Sequence, residues 1–420
     1  MFDRLGSIAL PDCVQIVPAS SPEWNSCLAP AIHDFFHTSQ YHQLWQEPGC
    51  REACLAIYGT RERFLAWPYI IGEVAPASNL LDISCVYGYA GPVLYRCETD
   101  DSFLLSAWNS LLELWRTQHA VSVFTRFHPV LENHRWMERI RSEGSFGPAG
   151  VHSHGQTVAI DLSLSEAEIW KHYERKLRQK LRRCSTFGFV STVDDDWVHL
   201  EDFVRLYQQT MRRNKAAPFY FFPRDHFLRL KTALGPHGTM LVTKYGQRVV
   251  ACAILIEYQG IGHLYLSASD EEFAHFSPSK LMTHDSVIWA RQRGVRYFHM
   301  GGGRASSNDS LFSFKASFSP YRFSFYTGRW ILEAEQYEDL TERRRLEAGG
   351  KLAGDYFPSY RAPYGNGVCE PRRGHVGDPV WNSVPALDCT GSLDRIDKQR
   401  KEVMGLQTDE PPFRHPLKIQ

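Results

Sequence analysis

The sequence predicts an α/β chain of the α+β kind: two similar halves with mixed, mostly antiparallel sheets, then a poorly ordered C-terminal extension. Three observations predict this. The order strand, strand, helix, strand occurs twice with similar spacing. β-branched and aromatic residues mark the strands, and the helices carry apolar residues at three-to-four spacing. After Tyr364 the composition turns to Pro, Gly and charge without apolar periodicity, too little apolar surface for a core.

In the first half, Phe64 to Ile71 reads as an apolar strand and Leu81 to Tyr89 as a second. Phe103 to Thr117 reads as a helix with the stripe Leu104, Trp108, Leu111, Leu112 and Trp115. Val121 to Phe127 closes the unit. The second half repeats it with Val249 to Tyr258, Gly262 to Ser269, the helix Ser279 to Arg293 and Val295 to Met300. Ahead of that repeat, Thr157 to Asp161 alternates like a strand. Ser165 and Glu168 have capping-box spacing and open a helix to about Arg183. Helices at 200–212 and 224–234 and a strand from Gly238 to Tyr245 follow. Ser142 to Gly155, rich in Gly, Ser and His, reads as the linker, and Glu333 to Leu352 as a charged helix on the second half. The expected units are 14–150, 156–362 and an irregular extension at 363–420.

Lys+Arg and Asp+Glu are both 47, so the net charge is zero and any basic site must be local. Charged residues at 22% and hydrophobic residues at 43% exclude a wholly disordered chain. Aromatics reach 13%, which predicts a large core and an aromatic-lined groove. No run approaches the ~20 apolar residues of a membrane span, and no long apolar stretch follows Met1 as a secretory leader would require. The ten cysteines are scattered, without zinc spacing, and are expected to be reduced thiols in the cytoplasm. No metal site is expected.

Four segments carry candidate chemistry. The helix with Lys171, Arg175, Lys176, Arg178, Lys180, Arg182 and Arg183 holds one acid, Glu174, and a stripe of Ile169, Tyr173, Leu177 and Leu181. A solvated face would read the same way; the sharper reading is a phosphate or RNA-backbone site. His299-Met300 leads into Gly301, Gly302 and Gly303, where backbone can approach a ligand closely. Lys315 follows among Phe312, Phe314 and Phe318, either as a stem covering apolar surface or as a cation in a cleft wall. Asp82 to Pro92 contains Tyr87 and Tyr89 in a rigid aromatic loop, and Arg126-Phe127-His128-Pro129 ends the strand that matches Phe298 to Met300. Nucleophile-elbow, zincin, phosphate-loop and dinucleotide fingerprints are absent from the sequence.

Together, Tyr87-Gly-Tyr-Ala-Gly-Pro92, Arg126-Phe-His-Pro129, Arg175 to Arg183, Tyr220 before Phe222-Pro223, Gly301-Gly-Gly303, Phe314-Lys315 and Tyr356-Phe-Pro-Ser-Tyr-Arg361 give a family likeness. Over roughly 30–362 the chain resembles the FemAB-like branch of the GNAT acyltransferase superfamily, which includes BioF2-like acetyltransferases and the aminoacyltransferases of peptidoglycan interpeptide bridges. The likeness implies two tandem GNAT-like domains. It implies transfer of an aminoacyl group from aminoacyl-tRNA to an amine of a cell-envelope precursor, with a small-molecule or lipid-linked acceptor. It carries Phe314 and Lys315 onto the family's Phe-Lys pair near the reacting acyl group, and Arg178 or Arg182 onto a phosphate contact.

No bound cofactor is expected. The competing donor is acetyl-CoA, whose pyrophosphate usually lies on a glycine-rich loop before a helix. Here that place reads Asp270 to Ser279 without glycine, with Asp270, Glu271 and Glu272 opposing an anion. A third possibility is a non-catalytic binding protein on a degenerate GNAT scaffold. Direct transfer is expected, with His128, Tyr220 or the substrate as base, Lys315 on the developing negative charge, and Arg126, Tyr87 and Tyr89 among the binding groups.

Overall fold

The computed structural model describes residues 14–47, 49–74, 79–140, 150–304, 307–350, 352 and 356–363. The expected extension at 363–420 lies, apart from residue 363, outside the described residues.

The described chain builds one mixed sheet. The first half contributes β1 (Val14–Pro18), α1 (Glu23–Leu28), α2 (Ser39–Gln43), β2 (Arg51–Thr60), β3 (Arg63–Glu73), β4 (Leu81–Ser84), β5 (Val93–Tyr95), α3 (Asp101–Thr117), β6 (Ala120–Arg126) and α4 (Arg135–Arg139). The rest contributes β7 (Gly150–Asp161), α5 (Glu166–His172), α6 (Arg175–Thr186), β8 (Phe189–Asp194), α7 (Leu200–Arg213), α8 (Arg224–Leu234), β9 (Gly238–Tyr245), β10 (Arg248–Tyr258), β11 (Ile261–Ser269), α9 (Pro278–Gln292), β12 (Tyr297–Gly302), α10 (Ser310–Ala316), β13 (Arg322–Ile331) and α11 (Ala334–Glu347). The strand order is β1-β2-β3-β4-β6-β13-β7-β12-β11-β10-β9-β8, with β5 beside β3.

The expected repeat is present as topology. β3 pairs antiparallel with β4, and α3 crosses over to β6, which lies parallel to β4. β10 pairs antiparallel with β11, and α9 crosses over to β12, parallel to β11. Period-two alternation sends the two faces of each half into different cores. On β3, Leu65 and Trp67 join a first-half core with Trp108, Trp115 and Trp330 under α3, while Phe64 and Ala66 face the opposite way. On β10, Ala251, Ala253 and Leu255 pack under α9 with Leu177 and Leu181 of α6. Ile254 and Ile256 face a shared core that also holds Phe36, Tyr41 and Phe64 of the first half. That shared core seals the two halves together.

Three expectations are corrected. The helix opened by Ser165 does not run on to Arg183: α5 stops at His172, Tyr173 turns extended, and α6 starts afresh at Arg175. The linker ends earlier than read: β7 starts at Gly150, and its polar first residues pair with β13, Gly150 opposite Arg329. The polar composition reflects a half-exposed strand, while 141–149 lie outside the described residues. The charged helix forms as α11 but does not pack on the second half. β13 runs between β6 and β7 and returns the chain to the first half, so Tyr337 of α11 and Tyr360 bury against Val121 of β6. Arg361 Nη2 bonds Asp82 Oδ1 at 3.0 Å and the Glu73 carbonyl at 2.8 Å, fastening that return to β3 and β4. Cys50 and Cys54, the closest pair in sequence, are free thiols. Among the described residues no helix is long and apolar enough to cross a membrane.

Candidate functional site

β11 and β12 pair only from Ile261–Tyr297 to His263–His299 and then part, and β12 bulges against β7 between His299 and Gly301. The first half enters this opening with two segments. Asp34 caps a short 3-10 turn, Phe35–His37, by accepting the Phe35 N–H at 2.7 Å. Residues 85–90 bridge from β4 to β6, where Ala90 pairs with Phe127. Across the seam, the Phe36 ring lies 4.9 Å from His263, and the Tyr41 and Tyr265 hydroxyls are 2.8 Å apart.

A buried imidazole cluster forms the floor. One oxygen of Asp34, Oδ2, accepts from His128 Nε2 at 2.8 Å and from His263 Nε2 at 2.7 Å. All three side chains are buried. Burial pushes the Asp34 carboxyl up, but the charges and hydrogen bonds of His263 and His128 outweigh it and hold Asp34 well below the usual range. His128 Nδ1 accepts the Leu131 N–H at 3.1 Å, so its proton sits on Nε2. Both His128 nitrogens are therefore occupied, which makes it a support for Asp34 rather than a free base. His37 likewise accepts the Asp34 N–H on Nδ1 at 3.0 Å and donates from Nε2 to Ala90 O at 3.0 Å; burial lowers it to about 3.

Asp34, His128 and His263 have the composition of a metal site. The hydrogen bonding does not suit one. A metal on His128 Nε2 needs the proton on Nδ1, the atom that receives the Leu131 N–H. The three fit a carboxylate shared by two imidazole donors.

Above this floor lie the expected residues around Lys315. Its Nζ donates to Gly302 O at 2.7 Å, and burial lowers its pKa to about 8 against the opposing charge of Asp309. Gly301 has φ of 76°, and a Cβ there would sit 3.2 Å from Lys315 Nζ and 3.7 Å from the Tyr89 hydroxyl. A side chain at 301 would thus fill the space between the two halves' polar groups. Gly303 has no room for a Cβ, which would strike Ser307 O and Asp309. Asp309 in turn caps α10 through the Phe312 N–H at 2.9 Å, which fixes the helix that carries Lys315. Lys280 Nζ of α9 lies 4.8 Å from the centroid of the Phe314 ring.

Arg126 is buried, and its largest electrostatic neighbours are Cys85, Tyr220, Tyr89 and Tyr87. Tyr87 and Tyr220 rings are 6.5 Å apart. The structure thus brings Arg126, Tyr87, Tyr89, Tyr220, His128, Gly301, Gly302, Gly303 and Lys315 to one seam.

The basic helix divides. Tyr173, Leu177 and Leu181 are buried as the stripe predicts. Arg178 Nη1 bonds the Lys171 and Tyr173 carbonyls at 3.0 and 2.6 Å, closing the end of α5, and Arg182 lies 5.9 Å from the Trp170 ring. Those two are committed to the protein. Arg175, Lys176, Lys180 and Arg183 are exposed. Lys180 acts on Lys280, which burial first and Lys180 second lower to about 8. The acids expected to repel an anion are partly neutralised: Arg248 pairs with Asp270 at 2.6 Å and Glu272 at 2.8 Å.

Sequence reasoning missed Asp34, His37 and His263, and named His299 only as the residue leading into the glycines. Asp34 stands 94 residues from His128 and 229 from His263, so no local spacing joins them. The one available signal was the position of His299 beside the three glycines.

Residues 171–314 match the acetyltransferase (GNAT) domain family. The fold is similar to that of FemX, with a TM-score of 0.59 and 13% identity over 77% of this chain and 99% of that one. It also matches the C-terminal domain (DUF2156) of a putative lysylphosphatidylglycerol synthetase from Agrobacterium fabrum, with a TM-score of 0.47 and 14% identity over 78% and 97%. No curated protein matches the chain in sequence. The chain thus contains a stretch, residues 171–314, that matches the GNAT acetyltransferase domain, set within a fold similar to that of FemX.

Proposed function

We propose that the protein moves an aminoacyl group from aminoacyl-tRNA to an amine of a small or lipid-linked acceptor, at the seam between its halves. The observation that carries this reading is Lys315, a half-buried ammonium beside Gly301 of the second half, where the Tyr89 hydroxyl of the first half also approaches. An ammonium has three N–H donors, and Gly302 O takes one. The others are available to a carbonyl oxygen as negative charge develops on it. Attack by the acceptor amine forms the C–N bond, and collapse breaks the ester C–O bond, with no protein nucleophile required. The exposed Arg175, Lys176, Lys180 and Arg183, beside Lys280 at the start of α9, support a donor with an extended phosphate backbone.

A second reading, acetyl-CoA as donor, draws support from the Arg248 pairs that neutralise Asp270 and Glu272. Equilibrium binding of charged tRNA and of acetyl-CoA at several salt concentrations separates the two. The tRNA reading expects binding that weakens with salt, by a log–log slope of about −0.7 for each phosphate neutralised, and weakens further in Arg175→Ala. Tight acetyl-CoA binding with none of charged tRNA would replace it with the second reading.

A further inference from the structure

His299 is the polar group in this seam that neither the fold nor the proposed role of Lys315 accounts for. It is buried, and its Nε2 finds no hydrogen-bond partner among the described residues. An orphaned buried nitrogen costs about 1–3 kcal/mol and calls for a reason. Its place supplies one. His299 is the last residue of β12 paired to β11 before the strands part, directly ahead of the bulge at Gly301. The half-buried Tyr89 ring stands nearly perpendicular to it, with centroids 5.1 Å apart, so His299 lies directly beneath a side chain that reaches the surface of the seam. His263 lies behind it with ring centroids 5.4 Å apart.

We infer that His299 is the general base of the transfer: Nε2 takes the proton shed by the attacking amine and returns it to the leaving oxygen. The inference rests on the acyl-transfer reading above. The balance is complete within the site. The amine nitrogen bonds to the carbonyl carbon, its extra proton passes to His299, the carbon–oxygen bond breaks, and the ribose oxygen takes that proton. No further reactant is needed.

The surroundings suit the task. The groups that act on His299 are Lys315 of α10, His263 of β11, His128 beyond β6 and Asp34 ahead of the 3-10 turn. Burial first, then His263, His128 and Lys315, keep the imidazole well below its usual pKa, so it is neutral in the resting protein. Asp34 opposes them, and its ionised carboxylate is the counter-charge that steadies the imidazolium once formed. Asp34, His263 and His128 are therefore positioning residues. They hold the charge pattern but do not meet the substrate.

The test has two readouts on the full-length protein. The first is transfer from charged tRNA and from acetyl-CoA to hydroxylamine, in wild type, His299→Gln and His299→Asn. Loss of a general base predicts kcat lower by about 100-fold or more with KM changed little, loss of the acid limb of the pH profile, and partial rescue by added imidazole. A folded variant with kcat within about threefold of wild type would overturn the assignment. The second readout needs no donor: selective ¹⁵N-histidine spectra of wild type during titration with glycinamide. A shift at His299 Nε2, absent at His128 and His37, supports the base; an unresponsive His299 overturns it. If wild type transferred from neither donor, the acyl-transfer reading would fail, and the titration alone would judge His299.

Discussion

Buried neutral histidines should make this protein unusually sensitive to mild acid. Burial lowers His37 to about 3 and His42, His226 and His284 to about 4. All four are at most 6% exposed, so solvent screening removes little of the effect. Their unfolded-state pKa is about 6.5. Below that value the unfolded chain takes up protons that the folded one refuses, so stability is full above the unfolded pKa and falls as pH drops through it. Between pH 7.5 and 5.5 each contributes a loss of about 1.4 kcal/mol, on the order of 6 kcal/mol together. Asp285 acts with the opposite sign. Burial raises it to about 7, so the folded state gains a proton in the same window and recovers about 2 kcal/mol. These five groups alone give a loss of about 4 kcal/mol, a large fraction of the stability of an ordinary domain. Urea unfolding at the two pH values measures it. A difference below about 1 kcal/mol would refute the reasoning and show that these imidazoles are hydrated or protonated in the folded protein.

Other perturbations separate structural from binding roles. Arg178→Ala should cost about 1–3 kcal/mol, read as a lower urea midpoint, because it leaves the carbonyls at the end of α5 unpaired. Arg175→Ala, on an exposed residue, should leave stability within about 0.5 kcal/mol and weaken charged-tRNA binding instead. Gly303→Ala should destabilise by about 1–3 kcal/mol, since its Cβ would strike Ser307 and Asp309; an unchanged melting temperature would mean the loop readily gives way. Arg361→Met should cost on the order of 3–5 kcal/mol by leaving buried Asp82 uncompensated, and calorimetry reads that loss directly.

The fold was legible where local rules act alone. The stripe Leu104, Trp108, Leu111, Leu112 and Trp115 specifies α3, and all five are buried. Ser165 and Glu168 form the expected capping box. Position between elements was less legible. α11 formed as read, but its docking on β6 depends on β13 crossing between the halves, a pairing that no local pattern encodes. The site split in the same way. Lys315, Tyr89 and the glycines stood out because a cation among phenylalanines and three consecutive glycines are unusual in sequence. Asp34, His263 and His299 look like ordinary turn and strand residues until the sheet brings them together. Conversely, Arg178 read as a ligand contact because charge is visible in sequence, whereas the carbonyls it closes are not.

The central claim is that the acyl group reacts beside the Lys315 ammonium. Its most direct test is single-turnover transfer from charged tRNA to hydroxylamine by Lys315→Met, beside the melting temperature of the same protein. Methionine keeps the stem that covers apolar surface and removes the charge. The account predicts a folded protein with unchanged melting and a rate lower by about 100–1000-fold. A near-wild-type rate with unchanged melting would contradict it, leaving Lys315 a structural side chain and the reacting carbonyl somewhere else.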